Sequence, residues 1–144
     1  MARTFPLAGL LRLRQIEKEH AASDLAAANA LRRDAGAQQA RAIAALHNVS
    51  IETTDAASLF AVAAARASSR SMLADLAALA ERAEQEAAEA QAAFTAAKAR
   101  SVGLEKLESR HRAEVVARDL TAEQAAIDEA ATGAWARERE GSEG

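Results

Sequence analysis

The sequence predicts an all-α protein: two long helices folded back on one another as an antiparallel coiled-coil hairpin. Three observations predict it. First, 43 of the 144 residues are alanine, and only 29 large apolar residues remain beside them. Alanine buries little area, and hydrophobic stabilisation scales with area at roughly 25 cal/mol per Å². So few branched and aromatic side chains do not fill a sandwich or an α/β core. Small side chains suit two helices that approach closely. Second, apolar and small residues recur at alternating spacings of three and four over most of the second half of the chain, the signature of a coiled-coil seam. Third, one internal stretch alone, residues 48–55, combines β-branched residues with Asn, Ser, Thr and Asp, and so reads as the turn.

Helix 1 is expected over about 5–48. Thr4 is a candidate N-cap, with Pro6 tolerated in the first turn, where its missing N–H would be unpaired anyway. Leu7, Leu10, Leu13 and Ile16 recur at spacing three. A clearer stripe follows at Leu31, Ala35, Gln38, Ala42, Ala45 and Val49, and the change of spacing implies a drifting seam. Gly36 is a weak point, costing roughly 1 kcal/mol against alanine.

Helix 2 is expected over about 55–139, capped by Thr54 or Asp55. Its frame runs Leu59, Val62, Arg66, Ser69, Leu73, Leu76, Ala80, Ala83, Ala87, Ala90, Phe94, Ala97, Ser101, Leu104, Glu108, His111 and Val115. The frame then shifts by one to Val116, Leu120, Glu123, Ile127, Ala130 and Ala134. Thr121-x-x-Gln124 fits a capping box and marks a candidate kink. Ser68-Ser69-Arg70-Ser71 is a candidate break. Residues 140–144 read as a disordered tail. The whole of 1–139 is expected to be a single coiled coil. At about 1.5 Å per residue, helix 2 is roughly twice as long as helix 1. Its C-terminal part then projects alone, unless a break at 68–71 refolds it.

Net charge is −3, too small to point to nucleic acid. Residues 1–72 carry nine basic and six acidic side chains, and residues 73–144 carry nine and fifteen. Opposite signs flanking a seam favour a chain that folds back on itself. The N-terminus lacks a secretory pattern, because Arg12 and Arg14 interrupt its apolar run. The longest uncharged runs are ten residues, against about 20 for a membrane span. A soluble, cytoplasmic protein is expected, one that reaches a membrane only through partners.

Enzyme signatures are missing. The six glycines are isolated, so no phosphate-cradling loop forms. No cysteine is present, which excludes disulfides and thiolate chemistry. His20, His47 and His111 are too far apart in sequence to share a helix face. His20 has Glu17 and Asp24 at helical spacing, a weak ligand cluster read more simply as a solvated group. The pairs Glu81/Glu84 and Glu86/Glu89 lie on an open helix face. No catalytic, cofactor-binding or metal-binding residue is expected. At the N-terminus, Phe5, Leu7, Leu10, Leu11 and Leu13 with Arg12, Arg14 and Lys18 suit either a membrane surface or a partner helix.

Three stretches resemble the FliJ family of flagellar type III export proteins. The first is Phe5-Pro6-Leu7, then Leu10-Leu11-Arg12-Leu13-Arg14, Glu17-Lys18-Glu19 and Ala21-Ala22. The second is Leu104-Glu105-Lys106-Leu107-Glu108 with Arg110, Arg112 and Glu114. The third is Glu123-Gln124 with Ile127-Asp128-Glu129-Ala130. Their order and spacing are similar to the family's over nearly the whole chain, although the alanine content and the lack of tyrosine are not.

The resemblance implies a non-enzymatic antiparallel coiled coil similar to the central stalk of rotary ATPases. It also implies a role in flagellum biogenesis, type III protein export, motility and chemotaxis. The implied partners are the hexameric export ATPase, the cytoplasmic domain of the export gate and export chaperones, with no cofactor and no nucleic acid. A rod entering an ATPase ring makes contact through its chain ends, here Arg3, Arg12, Arg14 and Lys18 with Glu123, Asp128 and Glu129. The family's gate-binding surface, near the hairpin end, falls on Gln38, Ala42, Leu46, Phe60, Ala64 and Ala67. Phe60 lies outside the seam frame, so its ring either stands exposed as an interface anchor or closes the hairpin's own core. Two rivals stand beside this reading: a generic coiled-coil scaffold or homodimer, and an alanine-rich protein disordered when free.

Overall fold

The structure, a computed structural model, describes residues 4–49, 52 and 54–143. Two helices account for nearly all of them: α1, Ala8–His47, and α2, Ala56–Ser142. Among the described residues there is no strand. At about 1.5 Å per residue the helices are roughly 60 and 130 Å long. Contacts sort into two compact units, one of Gln15–Ala99 and one of Met1–Arg14 with Arg100–Gly144.

The termini follow from local chemistry. α1 begins at Ala8, one turn later than the expected start at residue 5, and Thr4 does not cap it. Phe5 precedes a proline, which disfavours the helical region for that residue. Pro6 and Leu7 instead form a turn closed by the Ala8 N–H donating to the Phe5 carbonyl at 3.1 Å. At the far end, His47 Nδ1 donates to the Ile43 carbonyl at 2.9 Å, and the Asn48 N–H to the Ala44 carbonyl at 3.2 Å. The Asn48 bond gives a donor to one of the four terminal carbonyls, and the imidazole adds a side-chain donor to the last turn. Asp55 caps α2, accepting from the Ser58 N–H at 2.7 Å and the Ser58 hydroxyl at 2.6 Å. Those two donors, the hydroxyl foremost, hold the Asp55 carboxyl below the usual carboxylate range. Ser50, Ile51 and Thr53 of the expected turn lie outside the described residues.

α2 is one uninterrupted helix. It runs through Ser68–Ser71 without a break. The helix also continues through Thr121, whose hydroxyl bonds back to the Ala117 carbonyl at 2.9 Å rather than capping a new helix. The tail expected at 140–144 is helical as far as Ser142. Glu and Arg are good helix formers, and the Arg139 guanidinium sits 4.7 Å from the Trp135 ring centroid one turn earlier.

Burial on α2 follows the expected frame from Val62 to Val115, with Arg66 the exception. Its deepest members are small: Ala83, Ala87, Ala97 and the fully buried Ser101. The Ser101 hydroxyl keeps a partner, Glu105 Oε1 at 3.3 Å. Beyond Val115 the expected frame is not a seam, and Val116, Leu120 and Ile127 are 54–60% exposed.

On α1 the expected stripe is corrected. One alternating frame of buried and half-buried positions runs Leu11, Arg14, Lys18, Ala21, Leu25, Ala28, Ala35, Gln39, Ala42 and Leu46, interrupted at the exposed Arg32 and flanked by half-buried Gln15, Glu17 and Asn29; of the expected stripe it keeps Ala35 and Ala42. Leu13, Ile16, Leu31 and Val49 are 49–58% exposed, and Leu7 and Leu10 about 40%. Residues three apart advance 300°, so a run at spacing three winds off the contact face within a few turns. In the unit Gln15–Ala99, Arg32 of α1 meets Glu84 of α2 at 3.5 Å. In the other unit, Phe5 meets His111. No described helix is long and apolar enough to cross a membrane.

Candidate partner-binding surfaces

The second helix presents its first turns in two ways. Val62, Ser69 and Leu73 turn inward and are half-buried. Phe60, Ala64 and Ala67, at spacings of four and three, form a separate exposed stripe. Phe60 is 78% exposed, more than any other large apolar side chain described, so its ring does not close the hairpin's core. The small residues beside it leave the backbone open to close approach.

The α1 residues expected to share that surface are divided. Ala42 and Leu46 are half-buried in the helix pair. Gln38 is exposed, and its amide donates to Asp34 Oδ2 at 3.3 Å. The exposed part of the expected hairpin-end surface is therefore Phe60, Ala64, Ala67 and Gln38.

In the unit Gln15–Ala99 the helices part beside Leu46, Val49, Arg66, Ser69, Arg70 and Leu73, around a cavity of about 430 Å³. The cause is legible in the frame: Arg66 occupies a seam position yet is exposed, and a long charged side chain does not pack where a small or apolar one would. Reading the frame for its apolar members passed over this opening. The signal was Arg66 and Ser69 standing consecutively in it.

The residues expected at the chain ends fall as follows. Arg3 lies outside the described residues. Arg12 is exposed, while Arg14 and Lys18 are half-buried along the α1 contact face, where their aliphatic stems cover apolar surface. Glu123, Asp128 and Glu129 are exposed on α2, with Asp128 accepting from the Gln124 amide at 3.0 Å. In the unit that holds Arg100–Gly144, α2 beyond Val115 leaves Leu120, Ile127 and Trp135 at least 55% exposed. Phe5, Glu108, His111, Arg112 and Val115 surround a smaller cavity of about 180 Å³. His111 Nε2 is buried there without a hydrogen-bond partner.

No chemical site emerges among the described residues. His20 meets Asp24 at 3.2 Å on an exposed face, and no group of three or more His, Cys, Asp or Glu side chains is placed to hold a metal ion. What the arrangement offers is surface: an exposed aromatic among alanines, a cationic groove, and an acidic helix with an uncovered apolar stripe. A family model described as flagellar FliJ protein matches residues 3–140 of the chain. No curated protein and no solved structure matches it.

Proposed function

Because this chain belongs to the FliJ family of flagellar proteins, we propose that it is a coiled-coil hairpin that binds the hexameric export ATPase and the cytoplasmic domain of the export gate. The family is a non-catalytic component of flagellar protein export. In this reading the chain promotes assembly of the ATPase and couples it to the gate, and it escorts export chaperones. It acts in the cytoplasm, at the inner face of the membrane, which it reaches through its partners.

The observation that supports this reading best is the exposure of Phe60. An aromatic ring 78% exposed has no role in the hairpin's own packing, and rings of this kind are typical interface anchors. The gate contact is assigned to Phe60, Ala64, Ala67 and Gln38, bordered by Ala42 and Leu46. The ATPase contact is assigned to Arg3, Arg12, Arg14 and Lys18 with Glu123, Asp128 and Glu129. Opposite charges on the two helices suit a weak, reversible, salt-sensitive contact with a ring that cycles.

The test is stimulation of ATP hydrolysis by the purified export ATPase. Arg12→Glu with Arg14→Glu is expected to reduce stimulation while helicity is kept. Full stimulation by that variant at low salt would place the contact elsewhere. The second reading, a scaffold that pairs with its own copy, is favoured by the uncovered Val116–Leu120–Ile127 stripe. A dimer mass in sedimentation, lost on Ile127→Glu, would support it.

A further inference from the structure

The groove beside Arg66 and Arg70 combines two cations with an apolar lining. Residues 34–75, which include this part of the hairpin, carry three arginines, and their four acids, Asp34, Glu52, Asp55 and Asp75, all stand outside the groove lining. Two other arginines of α2 each find a carboxylate one turn away, Arg82 with Glu86 at 3.0 Å and Arg112 with Glu108. Arg66 and Arg70 have none. Each has the other at spacing four, a like-charge pair that repels. Among the described residues neither meets an acid. The groove between the helices is meanwhile apolar, lined by Leu46, Val49 and Leu73, with the Ser69 hydroxyl at its edge. Val49 remains 58% exposed there, and Leu59, one frame position before Val62, is equally exposed.

We propose that this groove docks an acidic segment of a partner protein that carries apolar anchors, most simply one turn or more of amphipathic helix. The anchors would cover Leu46, Val49 and Leu73, and carboxylates would pair with Arg66 and Arg70. Both halves of the argument are needed. The apolar lining alone would accept any hydrophobic chain, and the arginines alone would accept any anion. Together they select a chain with both features. Arg66 then has a function that its seam position does not explain. It keeps the helices apart and supplies the recognising charge.

The groove shares Leu46 with the border of the assigned gate surface, and Arg70 stands one turn after Ala67, but the Phe60 ring lies on another side of α2. Phe60 precedes Arg66 by six residues, about 120° around the helix at 100° per residue. The inference therefore does not depend on the gate contact assigned to Phe60.

The experiment uses the full chain and a labelled synthetic 18-residue peptide with leucines at helical spacing and glutamates between them, followed by fluorescence anisotropy. The wild-type chain is expected to bind it, and more weakly as salt rises. Arg66→Glu with Arg70→Glu is expected to weaken binding at least tenfold with unchanged circular dichroism. The same peptide with lysine for glutamate is expected not to bind. Arg66→Leu adds a folding control: it should raise the melting temperature by closing the seam, and still weaken binding. Phe60→Ala should leave peptide binding intact, whether or not it loses the gate. The proposal is overturned if the acidic peptide fails to bind, if charge reversal leaves its affinity unchanged, or if the lysine peptide binds as well. It is also overturned if anionic phospholipid vesicles or a single-stranded oligonucleotide outcompete the peptide with the same arginine dependence.

Discussion

The Phe5 ring lies 5.6 Å from the His111 imidazole, centroid to centroid, with the planes tilted by 46°. This contact ties the segment before α1 to the seam of α2. It leaves His111 Nε2 buried without a partner, and a buried polar atom in that state costs about 1–3 kcal/mol. His111→Leu should therefore raise stability in chemical denaturation by about 1 kcal/mol, the apolar side chain keeping the packing and removing the orphaned nitrogen. Phe5→Ala should lower it by about 1 kcal/mol through the lost ring contact. A His111→Leu variant clearly less stable than the wild type would mean that the nitrogen has a partner in solution.

Leu11 and Leu120 form a matched pair of probes. Leu11 is 7% exposed on α1, and Leu120 is 60% exposed on α2 beyond the last seam residue. Leu11→Ala should cost about 2–5 kcal/mol, as buried leucine truncations do. Leu120→Ala should stay within about 0.5 kcal/mol, as surface changes do. Urea melts of the two variants decide this. Equal losses would mean that the C-terminal part of α2 is covered in the free protein.

Gly36 and Gly103 are helical and exposed, and a Cβ built on either meets nothing within 4 Å. No glycine described has a positive φ. Alanine at each should stabilise by about 0.5–1 kcal/mol through helix propensity alone. The two sites lie in different units, so the gains should add. A loss at either position in thermal melts would reveal a close approach by a partner helix.

Asp55 supplies a pH dependence. Its carboxyl is held below the normal range by the Ser58 hydroxyl and then by the Ser58 N–H. A carboxyl whose value is lower in the folded state stabilises fully above its unfolded value. That contribution fades as the pH falls through the folded value. The wild-type chain should therefore lose stability on acidification below about pH 4, and Asp55→Ala should remove that part of the loss. The effect will be small, because the group is exposed. Identical acid profiles for the two proteins would exclude the cap.

The two helices differed in how much of this could be read in advance. On α2 the register was legible from Val62 to Val115, because alanine and leucine alternate with charged residues consistently enough to define one face. On α1 it was not. The large residues Leu13, Ile16, Leu31 and Val49 draw the eye but point outward, and the contact face is mostly Ala21, Ala28, Ala35 and Ala42 with the stems of Arg14 and Lys18. A helix pair that approaches through small residues hides its seam from any reading that follows bulk. The same cause concealed the Arg66 groove, since an arginine inside a regular frame looks like a tolerated exception. Phe60 was legible as standing outside the frame, and its exposure then separated its two readings. The end of α1 nearest the start was misplaced by one turn because the residue before Pro6 resists helical geometry.

The central claim is that the hairpin binds the export gate through an exposed anchor, and one paired measurement on Phe60→Ala addresses it. Binding of wild-type and variant chains to the cytoplasmic domain of the gate would be titrated calorimetrically, beside the melting curve of each chain. Truncating an anchor costs at least about 2 kcal/mol, roughly thirtyfold in affinity. The account predicts a loss of that size with an unchanged melting temperature. Unchanged affinity for the gate in a fully folded Phe60→Ala chain would contradict it.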